Sequence, residues 1–232
     1  VAYAAVASAA GVCILAGPTE AEGKIMYTRK HVQLYNNGKP YPLDFNRDAI
    51  PDFYLFISGY TCGSYCGFAL LAVCDRSLKT TNSSHRYYCG KSAAGRNEAM
   101  EEVHGGYATA AVRGVRIGKG APFYSSYRQK MGGASYFGKT NANWYGPWVN
   151  DGKGVTNRYL GLRFTIDGQL HYGWARLTVT TQGGRQGRFT ATLTGYAYET
   201  IPNKSIIAGE TKGSDVITVQ PTTLGRLAFG RK

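Results

Sequence analysis

The sequence predicts an all-β protein: an antiparallel β-sandwich or jelly-roll-like domain with long disulfide-containing loops. Three observations carry that prediction. Apolar residues recur at alternating positions in short runs, the period of a strand with one buried face. Glycine-containing turns separate those runs, with 31 Gly in 232 residues. Tyr is abundant at 18 while charged residues make up only 18%, a balance suited to aromatic-lined sheet faces and not to Leu/Glu/Lys-rich helices. An apolar content of 43% is enough for one substantial core.

The first 23 residues stand apart. Val1–Ala16 is small and apolar, and Gly17-Pro18 breaks the run. Such a stretch reads as the hydrophobic part and cleavage region of a secretory signal, so the expected location is secreted or cell surface. Sixteen small residues make a poor membrane span, and no transmembrane anchor is expected. The same stretch supports a second expectation, an assembly strand. Val6, Val12, Ile14 and Leu15 would fill a groove or complete a sheet on an adjacent copy, with Cys13 available for an intermolecular bond.

Lys24–Thr28 and His31–Tyr35 alternate as strands and lead into the Asn36-Asn37-Gly38-Lys39 turn. The most informative stretch follows. Asp44, Asn46, Asp48, the carbonyl of Ile50 and Asp52 place oxygen donors on every second position, the donor ladder of a calcium loop. Two positions depart from that pattern. Ala49 stands where the sharp turn favours Gly, and Leu55 stands where a bidentate Glu would close the set. The competing reading is a polar hairpin turn between Tyr41–Leu43 and Phe53–Ile57. In either case the stretch joins two strands.

Phe68–Cys74 is a continuous apolar run of buried-strand length. Cys62, Cys66, Cys74 and Cys89 fall close together, and in an exported chain they are expected to form two disulfides. Three pairings are open, Cys62–Cys66 with Cys74–Cys89 among them. The spacings lack the short paired knuckles of a zinc site. Residues 75–106 are polar and read as an elaborated loop, with one helical turn at Glu98–Val103. Residues 121–158 carry Tyr124, Tyr127, Tyr136, Trp144, Tyr145 and Trp148 among Gly, Asn and Ser. Those rings are candidates for stacking on sugars, or for packing over the end of a sandwich.

The second half is the clearest. Arg158–Ile166, the turn Asp167-Gly168, Leu170–Thr180, the turn Gly183-Gly184 and Arg188–Tyr198 form an antiparallel meander. Ile206–Gly209 closes the domain. The expected organisation is a segment over 1–23, a single β-rich domain over 24–209, and a tail over 210–232.

The block Tyr159-Leu-Gly-Leu-Arg-Phe164 followed by His171-Tyr-Gly-Trp174 resembles a signature of exported bacterial proteins, acidobacterial ones in particular. Asp44–Phe53 corresponds to the calcium-loop-like motif of that group, apart from Ala49, and Gly195–Glu199 to its "Gly-Tyr-Ala-Tyr-Glu" segment. The likeness spans about residues 40–210. It implies compartment and fold and supplies no activity.

Function is narrowed mainly by exclusion. A net charge of +13, spread along the chain, favours polyanions such as acidic glycans and cell-wall polymers. No zinc-finger spacing, recognition-helix pattern or RNA-binding aromatic motif accompanies it, so specific nucleic-acid binding is not expected. His31, His85, His104 and His171 form no metal-ligand spacing, and no nucleophile elbow or phosphate loop is present. The 14 carboxylates offer no obvious glycosidase pair. The chain is therefore expected not to be an enzyme. The leading expectation is a self-assembling extracellular structural protein, a filament or surface-layer subunit stabilised by calcium and disulfides, forming a homo-oligomer or polymer. The alternative is a secreted glycan- or polyanion-binding module.

Overall fold

The turn predicted at Asp167-Gly168 places both residues in the left-handed region, at φ 49° and 76°, as a two-residue hairpin of this twist requires. It joins β12 (Val155–Ile166) to β13 (Gln169–Gln182), and β14 (Arg188–Glu199) returns beside β13 to complete the meander. The computed structural model describes residues 24–62, 65–75, 78–80, 87–89, 97–100, 106–124, 129–138, 141–182 and 187–213. The expected segment over 1–23 and all of the expected 210–232 tail beyond residue 213 lie outside these residues.

Two antiparallel sheets make the sandwich. The six-stranded sheet runs β1-β14-β13-β12-β7-β9, with β1 at Ile25–Leu34, β7 at Glu98–Met100 and β9 at Phe123–Tyr124. The five-stranded sheet runs β11-β10-β4-β3-β2, built from β2 (Tyr41–Leu43), β3 (Phe53–Cys62), β4 (Cys66–Cys74), β10 (Gln129–Phe137) and β11 (Asn143–Tyr145). Between them lies one apolar core. Leu55, Ile57, Leu71, Val73 and Met131 come from one sheet, and Leu160, Leu162, Phe164, Leu177, Val179 and Leu193 from the other. Interleaved side chains from two inner faces are what a sandwich core consists of.

Two smaller ribbons cover the outer faces. β8 (Arg116–Ile117) pairs with β15 (Ile206–Ile207), and Ile117 and Ile206 pack with Tyr159, Tyr172 and Trp174 outside the six-stranded sheet. β5 (Leu78–Thr80) pairs with β6 (Tyr87–Cys89), and Leu78 and Tyr87 pack on Phe56, Leu70 and Ala72 outside the other.

The structure corrects two local expectations. Glu98–Met100 is a strand and not a helical turn. Ala99 pairs with Leu162 on one side and Tyr124 on the other, and the Glu98 carboxylate forms an ion pair with Arg163. A three-residue segment wedged between strands takes their backbone geometry whatever its own propensity. The two runs expected over Lys24–Tyr35 form one strand, β1 (Ile25–Leu34), because a bulge between Arg29 and Val32 absorbs the break in alternation. The expected Cys62–Cys66 disulfide closes the tip of the β3–β4 hairpin. The side chain of Cys89 lies outside the described residues, so the second expected pair is not defined.

Candidate functional site

The residues singled out at 44–52 form a turn closed by its own side chains. Asp44 accepts the backbone N–H groups of Arg47 at 2.7 Å and Ala49 at 3.0 Å, one on each carboxylate oxygen. Asp48 accepts the N–H of Ile50 at 2.7 Å and the side-chain amide of Asn46 at 2.9 Å. Arg47 and Ala49 both take left-handed backbone, at φ 63° and 66°. Ala49 thus makes the sharp turn that glycine would make more cheaply.

Asp52 does a different job. Its carboxylate is buried and accepts the N–H of Phe45 at 2.9 Å. That bond aims the Phe45 ring into the core, where it stacks on Phe164 at 4.5 Å and meets Tyr196 edge-on at 5.1 Å. Gly173 makes room for the stack. A Cβ there would stand 3.1 Å from both rings and 2.7 Å from the Ala197 carbonyl oxygen. The conjunction of the 44–52 stretch with the His171-Tyr-Gly-Trp174 stretch therefore has a packing cause. Asn97 ties the same loop to β12, donating to the Asp52 carbonyl at 2.8 Å and accepting the Thr165 N–H at 3.1 Å. Burial pushes the Tyr196 phenol up to about 12, with Tyr41 and Asp44 adding to the rise. Tyr198 is raised as well, by burial first and by Asp52 second. Among the described residues no group of three or more His, Cys, Asp or Glu side chains gathers as a metal-ligand set.

The other constellation lies where the two sheets part at one end of the sandwich. A cleft of about 360 Å³ opens there, lined by Tyr35, Tyr60, Thr61, Phe68 and Tyr136 on one side and by Gln182, Arg188 and Thr190 on the other. Tyr35 and Tyr60 are 59% and 49% exposed, so their rings are presented to solvent and not absorbed by the core. Tyr60 leans on Phe68 with ring centroids 6.2 Å apart. Beyond it, at the disulfide-closed hairpin tip, Tyr65 and Phe137 form an exposed edge-to-face pair at 4.9 Å.

Of the six rings proposed for stacking, Tyr136 is the one among the described residues that lines this cleft. Trp148 is wholly buried and donates its indole N–H to the Ala108 carbonyl at 2.8 Å, which makes it a core residue. Trp144 packs toward Phe189 and over Gly152. Tyr145 shares a hydroxyl hydrogen bond with Ser135 at 2.7 Å and lines a separate hollow of about 180 Å³ with Tyr107 and Lys130. Tyr127 and the side chain of Tyr124 lie outside the described residues, as do Cys13, Val6, Val12, Ile14 and Leu15. Sequence reasoning missed Tyr35, Tyr60 and Arg188, which sit in ordinary strand or turn context. No pattern in the sequence sets these three apart from their neighbours. No family model, curated protein or solved structure matches the chain.

Proposed function

We propose that this protein is a secreted, non-catalytic module that binds an acidic glycan in the end cleft. The observation that carries the reading is that the exposed Tyr35 and Tyr60 line one cleft together with Arg188. Aromatic faces held out of the core stack on the apolar faces of sugar rings. A guanidinium beside them pairs with a carboxylate or sulfate and supplies several fixed donors. The amides of Asn36 and Gln182 and the hydroxyls of Thr61 and Thr190 add neutral hydrogen-bonding groups, the mixture expected of a polar-ligand site. The charge of +13 favours the approach of any polyanion and adds no selectivity by itself. Strand addition along β1, the alternative that leads to polymers, is disfavoured by the exposed Arg29, Lys30 and His31 and by the bulge beside them.

Calcium enters this reading as a structural ion. Asp44, Asn46, Asp48 and the Ile50 carbonyl would hold it, above the buried Asp52, and the left-handed Ala49 supports the fit because the backbone already makes the turn. The ion's contribution would be to tighten a turn that its own hydrogen bonds already close. The test of the function is isothermal titration against immobilisation-free uronic-acid and neutral oligosaccharides. Binding of the acidic series that is lost in Tyr60→Ala, with thermal stability unchanged, is the expected result. An unaltered affinity in that variant would sink the cleft as the site.

A further inference from the structure

We infer that the ligand is a long, linear acidic polysaccharide, and that it leaves the cleft to run along the outer face of β14 and β13. The inference rests on the cleft reading through Gln182, Arg188 and Thr190, which line the cleft and also begin this face. Alternation along β14 sends Phe189, Ala191 and Leu193 into the core and turns Arg188, Thr190 and Thr192 outward. Register then builds rows across the sheet. Arg188 stands opposite Gln182, Thr190 opposite Thr180, and Thr192 between Thr178 and the exposed Gln33 of β1.

The rows end at a second basic pair. Arg176 faces Gly195, and Gly195 faces Arg29. Gly195 has no side chain of its own, and the Tyr27 phenol lies over it between the two arginine positions. Arg176 is held in place by donating to the Thr194 hydroxyl at 2.7 Å, while Arg29 is exposed. The ribbon of β8 and β15 covers the opposite end of this face, over Tyr172 and Trp174, and the threonine rows remain half-buried or exposed. No Asp or Glu occurs in β1 or β13, and the one in β14, Glu199, is buried at the far end.

From Arg188 to the Arg29–Arg176 row the strand advances seven residues, roughly 20 Å at about 3.3 Å per residue. Within a row the hydroxyls and amides lie about 4.8 Å apart across the strands, and successive rows follow about 6.6 Å apart along them. A surface that is cationic at both ends, rich in neutral hydrogen-bonding groups between them, and free of carboxylates complements an extended chain with hydroxyls and regularly spaced acids. A compact ligand would use one end only.

The experiment compares uronic-acid oligosaccharides of two and ten sugars, against neutral oligosaccharides and single-stranded DNA of matched charge, on the whole chain. Two variants are used: Tyr60→Ala in the cleft, and Arg29→Gln with Thr178→Val and Thr192→Val on the face. The expected result is that the long acidic oligomer binds at least about tenfold tighter than the short one. The face variant should remove that gain and leave the short oligomer unchanged. Equal affinity for both lengths, with no effect of the face variant, would overturn the inference and leave the cleft reading standing. Loss of binding in the face variant alone, with Tyr60→Ala unaffected, would end the cleft reading and with it the path proposed from the cleft. DNA binding as tight as the long uronate would also overturn it, by reducing the face to charge attraction. Absence of binding by every acidic oligosaccharide would end both.

Discussion

The two halves of β13 belong to one strand and behave as different materials. From His171 to Ala175 every residue is buried, because the core lies on one side and the β8–β15 ribbon on the other. From Leu177 to Gln182 only the core side is closed, and alternation returns as Leu177 and Val179 in, Thr178 and Thr180 out. What changes between them is the cover and not the strand. The covered half supports aromatic packing, with Trp174 against Tyr27 and Tyr159. The open half turns hydroxyls away from the core. A single sheet thus serves as fold at one end and as surface at the other, and the boundary falls near Arg176, where a bulge shifts the register.

The largest expected effect breaks the covered half. Trp174→Ala should cost about 3–5 kcal/mol in denaturant unfolding, by leaving a cavity between sheet and ribbon. Trp174→Phe should cost much less, since the indole N–H is buried with no hydrogen-bond partner and its removal relieves a desolvated donor. Next comes Gly173→Val, which would force side-chain carbons into the Phe45–Phe164 stack and the Ala197 carbonyl. About 1–3 kcal/mol is expected from overpacking of this kind, and loss of the near-ultraviolet aromatic signal would report it. A similar cost, about 1–3 kcal/mol, is expected for Asp52→Ala, which strips a buried N–H of its acceptor. Thermal denaturation would show whether calcium protects the wild type and fails to protect Asp44→Ala.

Alkaline titration sharpens the contrast on the inner side. The Tyr196 phenol stands at about 12 in the folded protein against an ordinary 10.0. Below about 10 both folded and unfolded chains hold the proton, and the full stability is present. As pH rises from about 10 through about 12 the unfolded chain releases its proton first, so stability falls. Melting temperature followed across that range should decline, and Tyr196→Phe should decline less. The smallest effect belongs to the open half: Thr180→Ala, at an exposed position, should stay within about 0.5 kcal/mol of wild type. A larger loss there would mean that the outer face is structural after all.

Much of the fold could be read without coordinates. The meander of Arg158–Tyr198 was legible because period-two alternation and an Asp-Gly turn state strand, register and connection together. Residues 97–100 were not legible, since a short segment between strands takes its conformation from pairing partners far away in the chain. The site divides along the same line. The 44–52 stretch announced itself through its spacing, but its placement of Phe45 over Gly173 depends on two segments that are distant in sequence. From its polar neighbours Trp148 was open to two readings, a ligand-facing ring or one that packs over the sandwich end. It is a core residue because the chain folds those neighbours outward around it.

The sequence by itself determined the class of fold, the meander and the polar turn at 44–52, while Cys62–Cys66 was one of three open pairings until the structure selected it. The first three are encoded within a few residues of one another, where backbone geometry and side-chain period act directly. Only the tertiary structure decided which rings face solvent, which half of β13 is covered, and that Tyr35, Tyr60 and Arg188 meet at one cleft. Those outcomes depend on how two sheets and two ribbons dock, and a ring on an alternating strand carries no mark of whether the layer above it will be present.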